Sequence, residues 1–265
     1  MSNVPLFDCL THPALDGNWI HPRWDGRNGF AELRAGMAEA GVRWTFAVAM
    51  GTKDGWDASV YPEACAGEGA RLFPVAYLDP LSPPDFVSLR TQGFVGVKIH
   101  PRRGEVGFAD ERLPKWIAEA QAAGLVTLLC TYPFGATAGV PGSLEDLQGL
   151  LAATVGCKII LLHSGAVRLR EVMELSRPFK DTLLDLSFTL CEYEGSSLDD
   201  DLRFVLRRHG HRVCVGSDAP EFSPADLRRR FEELTTGMDA AMRENIAHGN
   251  LFNFTGLPRD EDAGA

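Results

Sequence analysis

Apolar residues along the chain alternate between two patterns: short continuous runs, and longer stretches in which they recur three and four positions apart. The continuous runs predict strands buried on both faces, and the spaced stretches predict amphipathic helices. Strands are expected at Val4–Cys9, Trp44–Met50, Arg71–Leu78, Phe94–Ile99, Val126–Cys130, Lys158–Leu162, Asp181–Leu186 and Val213–Val215. Helices are expected at Gly29–Ala40, Ala58–Gly67, Pro84–Thr91, Asp110–Ala123, Ser143–Thr154, Val167–Ser176, Leu198–His209, Pro224–Thr235 and Met238–His248. Such alternation requires a parallel sheet, and eight units suggest a (β/α)8 TIM barrel of the α/β class, in one domain over residues 1–257. A flexible acidic tail is expected over 258–265.

In a barrel the C-terminal ends of the strands build the pocket. The eighth run, VCVGSDAP, carries Asp218 just past its end. A helix cap is the bland reading of that carboxylate. Ser223, followed by Pro224 and Asp226, makes a better cap, which frees Asp218 for chemistry. His12 follows the first strand, Lys98, His100, Arg102 and Arg103 close the fourth, Cys130 and Tyr132 the fifth, and His163 the sixth. Asp8, Thr11, Asp79, Asp185 and Ser187 also fall at strand ends. Imidazole and carboxylate suit both proton transfer near neutral pH and borderline metals such as zinc. Lys98 alternates against Val97 and Ile99, so it points inward and needs a partner. Arg102, with Arg103 and Tyr132 nearby, suits the anionic end of a substrate. His21 lies in a loop, and His209, His211 and His248 lie near helix ends. These four read as solvated or dipole-compensating groups.

Composition narrows the partners. A net charge of −10 over 265 residues, with no basic cluster, argues against nucleic acid and leaves a small molecule as the partner. No apolar run is long enough to span a bilayer, and the N-terminus lacks the pattern of a signal peptide. The six cysteines form no CxxC pair, which suits a reducing cytoplasm. Homo-oligomerisation is left open.

The segments FDCLTHP, GVKIHP, IILLHSG and VGSDAP, with GNLFNFTGL near the C-terminus, resemble the amidohydrolase-related branch of the amidohydrolase superfamily, TIM-barrel hydrolases and decarboxylases. The resemblance implies His-x-His on the first strand, a His on each of the fifth and sixth, and an Asp on the eighth. His12, His163 and Asp218 match. Leu10 and Cys130 stand where two further His are expected. Either a divalent metal, zinc in the first instance, is held by His12, Cys130, His163 and Asp218, or the pocket works without metal, as one lactonase group of the family does. The resemblance implies hydrolysis of an amide, ester or lactone of a small anionic molecule. Asp218 would be the base, His163 and His100 would orient substrate, and Lys98, Arg102 and Tyr132 would bind it. Non-oxidative decarboxylation (a lyase reaction) and an inactive barrel kept as a binding subunit are the alternatives.

Overall fold

The computed structural model describes residues 4–50, 59–134 and 142–259. Eight parallel strands follow one another around a nearly closed barrel: β1 (Leu6–Thr11), β2 (Val42–Ala49), β3 (Arg71–Tyr77), β4 (Gly96–Ile99), β5 (Val126–Cys130), β6 (Ile159–Leu162), β7 (Thr182–Asp185) and β8 (Val213–Cys214). The TIM-barrel class expected from the alternation is the class observed.

Two apolar layers hold the barrel. Side chains pointing inward, among them Phe7, Phe46, Val48, Phe73, Leu128, Ile160 and Leu183, fill its interior. Phe7 packs on Phe46, Phe73 and Phe252 with ring centroids 5.0–5.5 Å apart. The outward faces meet the helices. Helix Leu198–His209 buries Leu198, Leu202, Val205 and Leu206 along one stripe. Its first turn carries Asp199, Asp200 and Asp201 and its last Arg207, Arg208 and His209, matching the helix dipole at both ends. Capping boxes at Ser143 with Asp146 and at Ser223 with Asp226 start two other helices where the sequence places them.

Several boundaries shift by one or two residues, and three of the differences bear on the fold. The first strand begins later and runs on to Thr11, because its edge stays paired past Cys9, with Leu10 O accepting from Asp218 N–H and His12 N–H donating to Ala219 O. At the C-terminus the helix does not stop at His248. A π-helical turn, Asn245–Gly249, passes into a further helix, Asn250–Thr255, that buries Leu251 and Phe252. Of the helix expected over Ala58–Gly67, Tyr61–Cys65 is helical and Ala58 lies outside the described residues. Residues 260–265 of the expected tail also lie outside them, and the Pro258 carbonyl accepts a hydrogen bond from Arg71 Nη1 at 3.2 Å.

The seam between β8 and β1 positions the site. β8 is only two residues long, yet pairing continues beyond it: Cys9 N–H donates to Val215 O, Asp218 N–H to Leu10 O and His12 N–H to Ala219 O, at 2.8–2.9 Å. Buried Asp8 accepts from the Ser217 N–H at 2.8 Å, the Ser217 hydroxyl at 2.5 Å and the Leu10 N–H at 3.1 Å. Burial pushes this carboxyl up to about 7, and the Ser217 bonds offset part of that. Gly216 fits between them only because it lacks a side chain: a Cβ there would lie 2.9 Å from Ser187 Cβ and 3.1 Å from Asp8 Oδ1.

Candidate active site

At the C-terminal mouth of the barrel a cavity of about 230 Å³ is lined by His12, Lys98, His100, Arg102, Tyr132, His163 and Asp218, with Trp19, His21, Phe188 and Glu221 on its walls. These residues come from six strand ends and two loops, so the mouth gathers the imidazoles and the carboxylate that the sequence singles out. Asp79 is exposed and accepts from Leu81 N–H at 2.9 Å, and Arg103 is exposed over the Tyr77 ring. Neither lines the cavity. Asp8 and Thr11 belong to the wall, where Thr11 Oγ1 donates to Phe46 O at 3.0 Å.

The seam brings His12 and Asp218 together: His12 Nε2 lies 3.3 Å from Asp218 Oδ1. Lys98, 2% exposed, puts its Nζ 3.1 Å from the same His12 nitrogen, which gives the buried amine the partner its position demands. The other ring nitrogen, Nδ1, sits 3.4 Å from Val48 O. Burial, and then the charge of Lys98, lower His12 to about 4, so its ring is neutral. Burial lowers Lys98 as well, while Asp218 and Cys130 act in the opposite sense.

His163 behaves differently. Burial opposes its charge, but Asp218 and then the hydrogen bond to Cys130 outweigh it and raise the ring to about 9. Its Nδ1 donates to Ser187 O at 3.0 Å, leaving Nε2 as its other donor. Asp185, which accepts from the Ser187 N–H at 3.1 Å and from the His163 N–H at 3.3 Å, fixes that segment from below, and the Ser187 hydroxyl also donates to it. Burial would raise Asp218, yet the charge of His163 and the contact with His12 pull it down to about 2. The mouth thus holds an ionised carboxylate between a neutral and a charged imidazole. Local backbone strain aims these groups: His163, Ser164, Ala166, Phe188 and Asp218 all take positive φ.

Cys130 is buried behind the cavity rather than on its wall. Burial opposes its thiolate, but the charges and hydrogen bonds of His100 and His163 hold the thiol well below its usual range. His100 also caps a short helix, accepting from Arg103 N–H at 3.3 Å. Arg102 stacks over Tyr132 at 4.9 Å, and Tyr132 meets His163 and Phe188 edge-on.

Leu10 is wholly buried in the apolar interior and offers no donor. No three of His12, Cys130, His163 and Asp218 bring ligand atoms within 4.8 Å of one another. Among the described residues the group that does so is Cys9, Asp185 and Cys214, inside the wall and fully buried. Lys98 Nζ, moreover, stands beside His12 Nε2, the nitrogen a metal would need. As they stand, the residues of the mouth do not fit a divalent metal.

The sequence profile of the amidohydrolase family matches residues 21–250. The chain belongs to the amidohydrolase family. No curated protein sequence matches it. Among solved structures, the TIM-barrel protein Bb4693 of Bordetella bronchiseptica superposes with a TM-score of 0.71 at 18% identity, covering 96% of this chain and 100% of that one. The 5-carboxyvanillate decarboxylase of Sphingomonas paucimobilis gives 0.68 at 12% identity, with coverage of 96% and 100%. A dihydroxybenzoic acid decarboxylase of Polaromonas sp. JS666, solved with bound manganese and the inhibitor 2-nitroresorcinol, gives 0.62 at 14%, with coverage of 98% and 99%. At these identities the likeness establishes the fold. Enzymes are among these family neighbours, and one of them binds a divalent metal. No helix among the described residues is long and apolar enough to cross a membrane.

Trp19, His21, Phe188 and Glu221 line the cavity but were not among the expected site residues. His21 was discounted as a loop residue. The loop after the first strand also holds Trp24, so no sequence signal singles out Trp19. Nothing in the sequence pairs it with Glu221, 202 positions away.

Proposed function

We propose that this protein hydrolyses an ester, lactone or amide of a small anionic molecule, with Asp218 as general base. The observation that carries this reading is the charge pattern at the mouth: a carboxylate held ionised at about 2, beside an imidazolium held at about 9. At neutral pH Asp218 is in the unprotonated form a base requires, though its low value makes it a weak acceptor. Its uptake of a proton from water, as the resulting hydroxide adds to the substrate carbonyl, leans on the charges of His163 and Lys98 that stabilise the product of that addition. His163 and the Lys98 amine stabilise the oxyanion that develops, and His100 orients the substrate beside them. As the carbonyl re-forms and the bond to the leaving group breaks, His163 donates a proton to that group. The proton held by Asp218 then recharges the site. His12 stays neutral and positions Lys98. Arg102, braced on Tyr132, holds the anionic end of the substrate. Lys98 supplies, in this reading, the positive charge that a metal provides in a relative such as the manganese-bound Polaromonas enzyme. The six unpaired cysteines support a reducing, cytoplasmic setting.

The test is a panel of small lactones, esters and amides bearing a carboxylate, assayed for acid release, with carboxylated phenols assayed in parallel for carbon dioxide. Asp218→Asn is expected to lower kcat by about 10²–10⁴-fold with the fold intact by circular dichroism. An Asn variant as fast as the parent ends the assignment. Decarboxylation is the second reading, favoured by the activities named for two of the structural neighbours. Carbon dioxide without hydrolysis would establish it in place of the first.

A further inference from the structure

The loop after β1 is shut over the cavity by a residue from the opposite side of the seam. Its two ends are tied: Ala14 N–H donates to Asn28 O at 2.8 Å, and Asn28 Nδ2 to His12 O at 2.6 Å. Its tip is not. Ile20 is 57% exposed, and His21, Pro22 and Arg23 are exposed as well. Trp19 turns inward, 9% exposed, and stacks on the His12 ring at 4.9 Å with 19° between the planes. Its indole N–H donates to Glu221 Oε1 at 3.0 Å, while Arg23 Nη2 donates to Glu221 Oε2 at 2.5 Å.

We propose that Glu221 is a positioning residue that holds Trp19 flat against His12 and so keeps this loop closed over the cavity. It rests on the reading of this mouth as the active site. Two features make the contact more than decoration. A buried indole N–H needs an acceptor, and a carboxylate is a strong one. The hydrogen bond from His12 Nδ1 to Val48 O is long, at 3.4 Å, so the indole is the larger restraint on the plane of the ring that touches both Lys98 and Asp218. The Arg23 arm is exposed and adds little by itself, since surface ion pairs are weak. It orients the carboxylate toward the indole.

The test uses the full chain labelled with 5-fluorotryptophan and with 15N-imidazole histidine, observed without substrate. Trp19→Phe and His12→Gln assign the two signals that matter. Glu221→Ala is expected to shift and broaden the Trp19 resonance and to move the His12 ring nitrogens, with the other tryptophan signals in place. Glu221→Gln, which keeps an oxygen acceptor for the indole, is expected to restore both. With a substrate from the hydrolysis panel, Glu221→Ala should lower kcat/KM by about tenfold, through kcat more than KM, because a ring turned away from its working geometry slows the chemical step. A Trp19 signal unchanged in Glu221→Ala, or a His12 signal unmoved when Trp19 shifts, overturns the proposal. Should no panel compound react, the hydrolase reading fails, while the two resonances still decide the role of Glu221.

Discussion

At the scale of single residues, three side chains around one point take three different charge states, and burial alone does not sort them. His12 and His163 are both buried, yet one is pushed down to about 4 and the other up to about 9. Both rings face Asp218 and Lys98, but the amine counts for more at His12, whereas at His163 the acid counts for more and the Cys130 thiol adds to it. Activity that needs Asp218 ionised, His12 neutral and His163 protonated should therefore plateau between about pH 4 and about pH 9. A pH–rate profile checks this. Cys130 helps to raise His163, so Cys130→Ser is expected to move the alkaline limb to lower pH and leave the acid limb in place. Stability follows the same signs. The contribution of His163, whose folded value is raised, is full below its ordinary 6.5 and is lost as the pH climbs through about 9. That of Asp218, whose folded value is depressed, is full above 3.8 and is lost as the pH falls through about 2.

At the scale of elements, the strands were legible because each is a continuous apolar run, and the helices because Ser143 and Ser223 announce their starts. His12, Lys98, His163 and Asp218 were legible for the same reason: each is a polar group at the edge of a dry run. Asp8 reads as a strand-end group, whereas it lies mid-strand with its carboxylate paired by Ser217, more than 200 positions away. The kink at Ser164–Ala166, with three successive positive φ values, left no mark beyond one glycine. Glu221 and Trp19 were invisible because their contact joins two loops. The seam that aims Asp218 is tight at Gly216, and Gly216→Ala should lower stability by about 1–3 kcal/mol through overpacking against Ser187 and Asp8. Urea denaturation measures that loss, and a neutral result would mean that the seam yields where it looks rigid.

At the scale of the whole molecule, a chain of net charge −10 sets Lys98, Arg102 and a protonated His163 at one mouth. That arrangement bears on the metal. With Leu10 in the interior and Lys98 against His12, exhaustive dialysis against a chelator is expected to leave activity within about twofold. Elemental analysis of the purified protein should find no stoichiometric manganese or zinc. Stoichiometric metal lost together with activity would mean that Lys98 yields its place to an ion. Family membership goes with the barrel, whereas in the proposed reading the choice between water and carbon dioxide chemistry rests on how these particular side chains are charged.

The join between β1 and β8 has one more consequence. The partners of Cys9, Leu10 and His12 lie at Val215, Asp218 and Ala219, so the first strand waits for nearly the last turn of the ring before its edge is covered. During synthesis on the ribosome, a chain halted short of Val213 carries His12 and Lys98 but has no acid to set beside them. With Asp218 as the proposed base, such a fragment would be chemically idle until the circle closes.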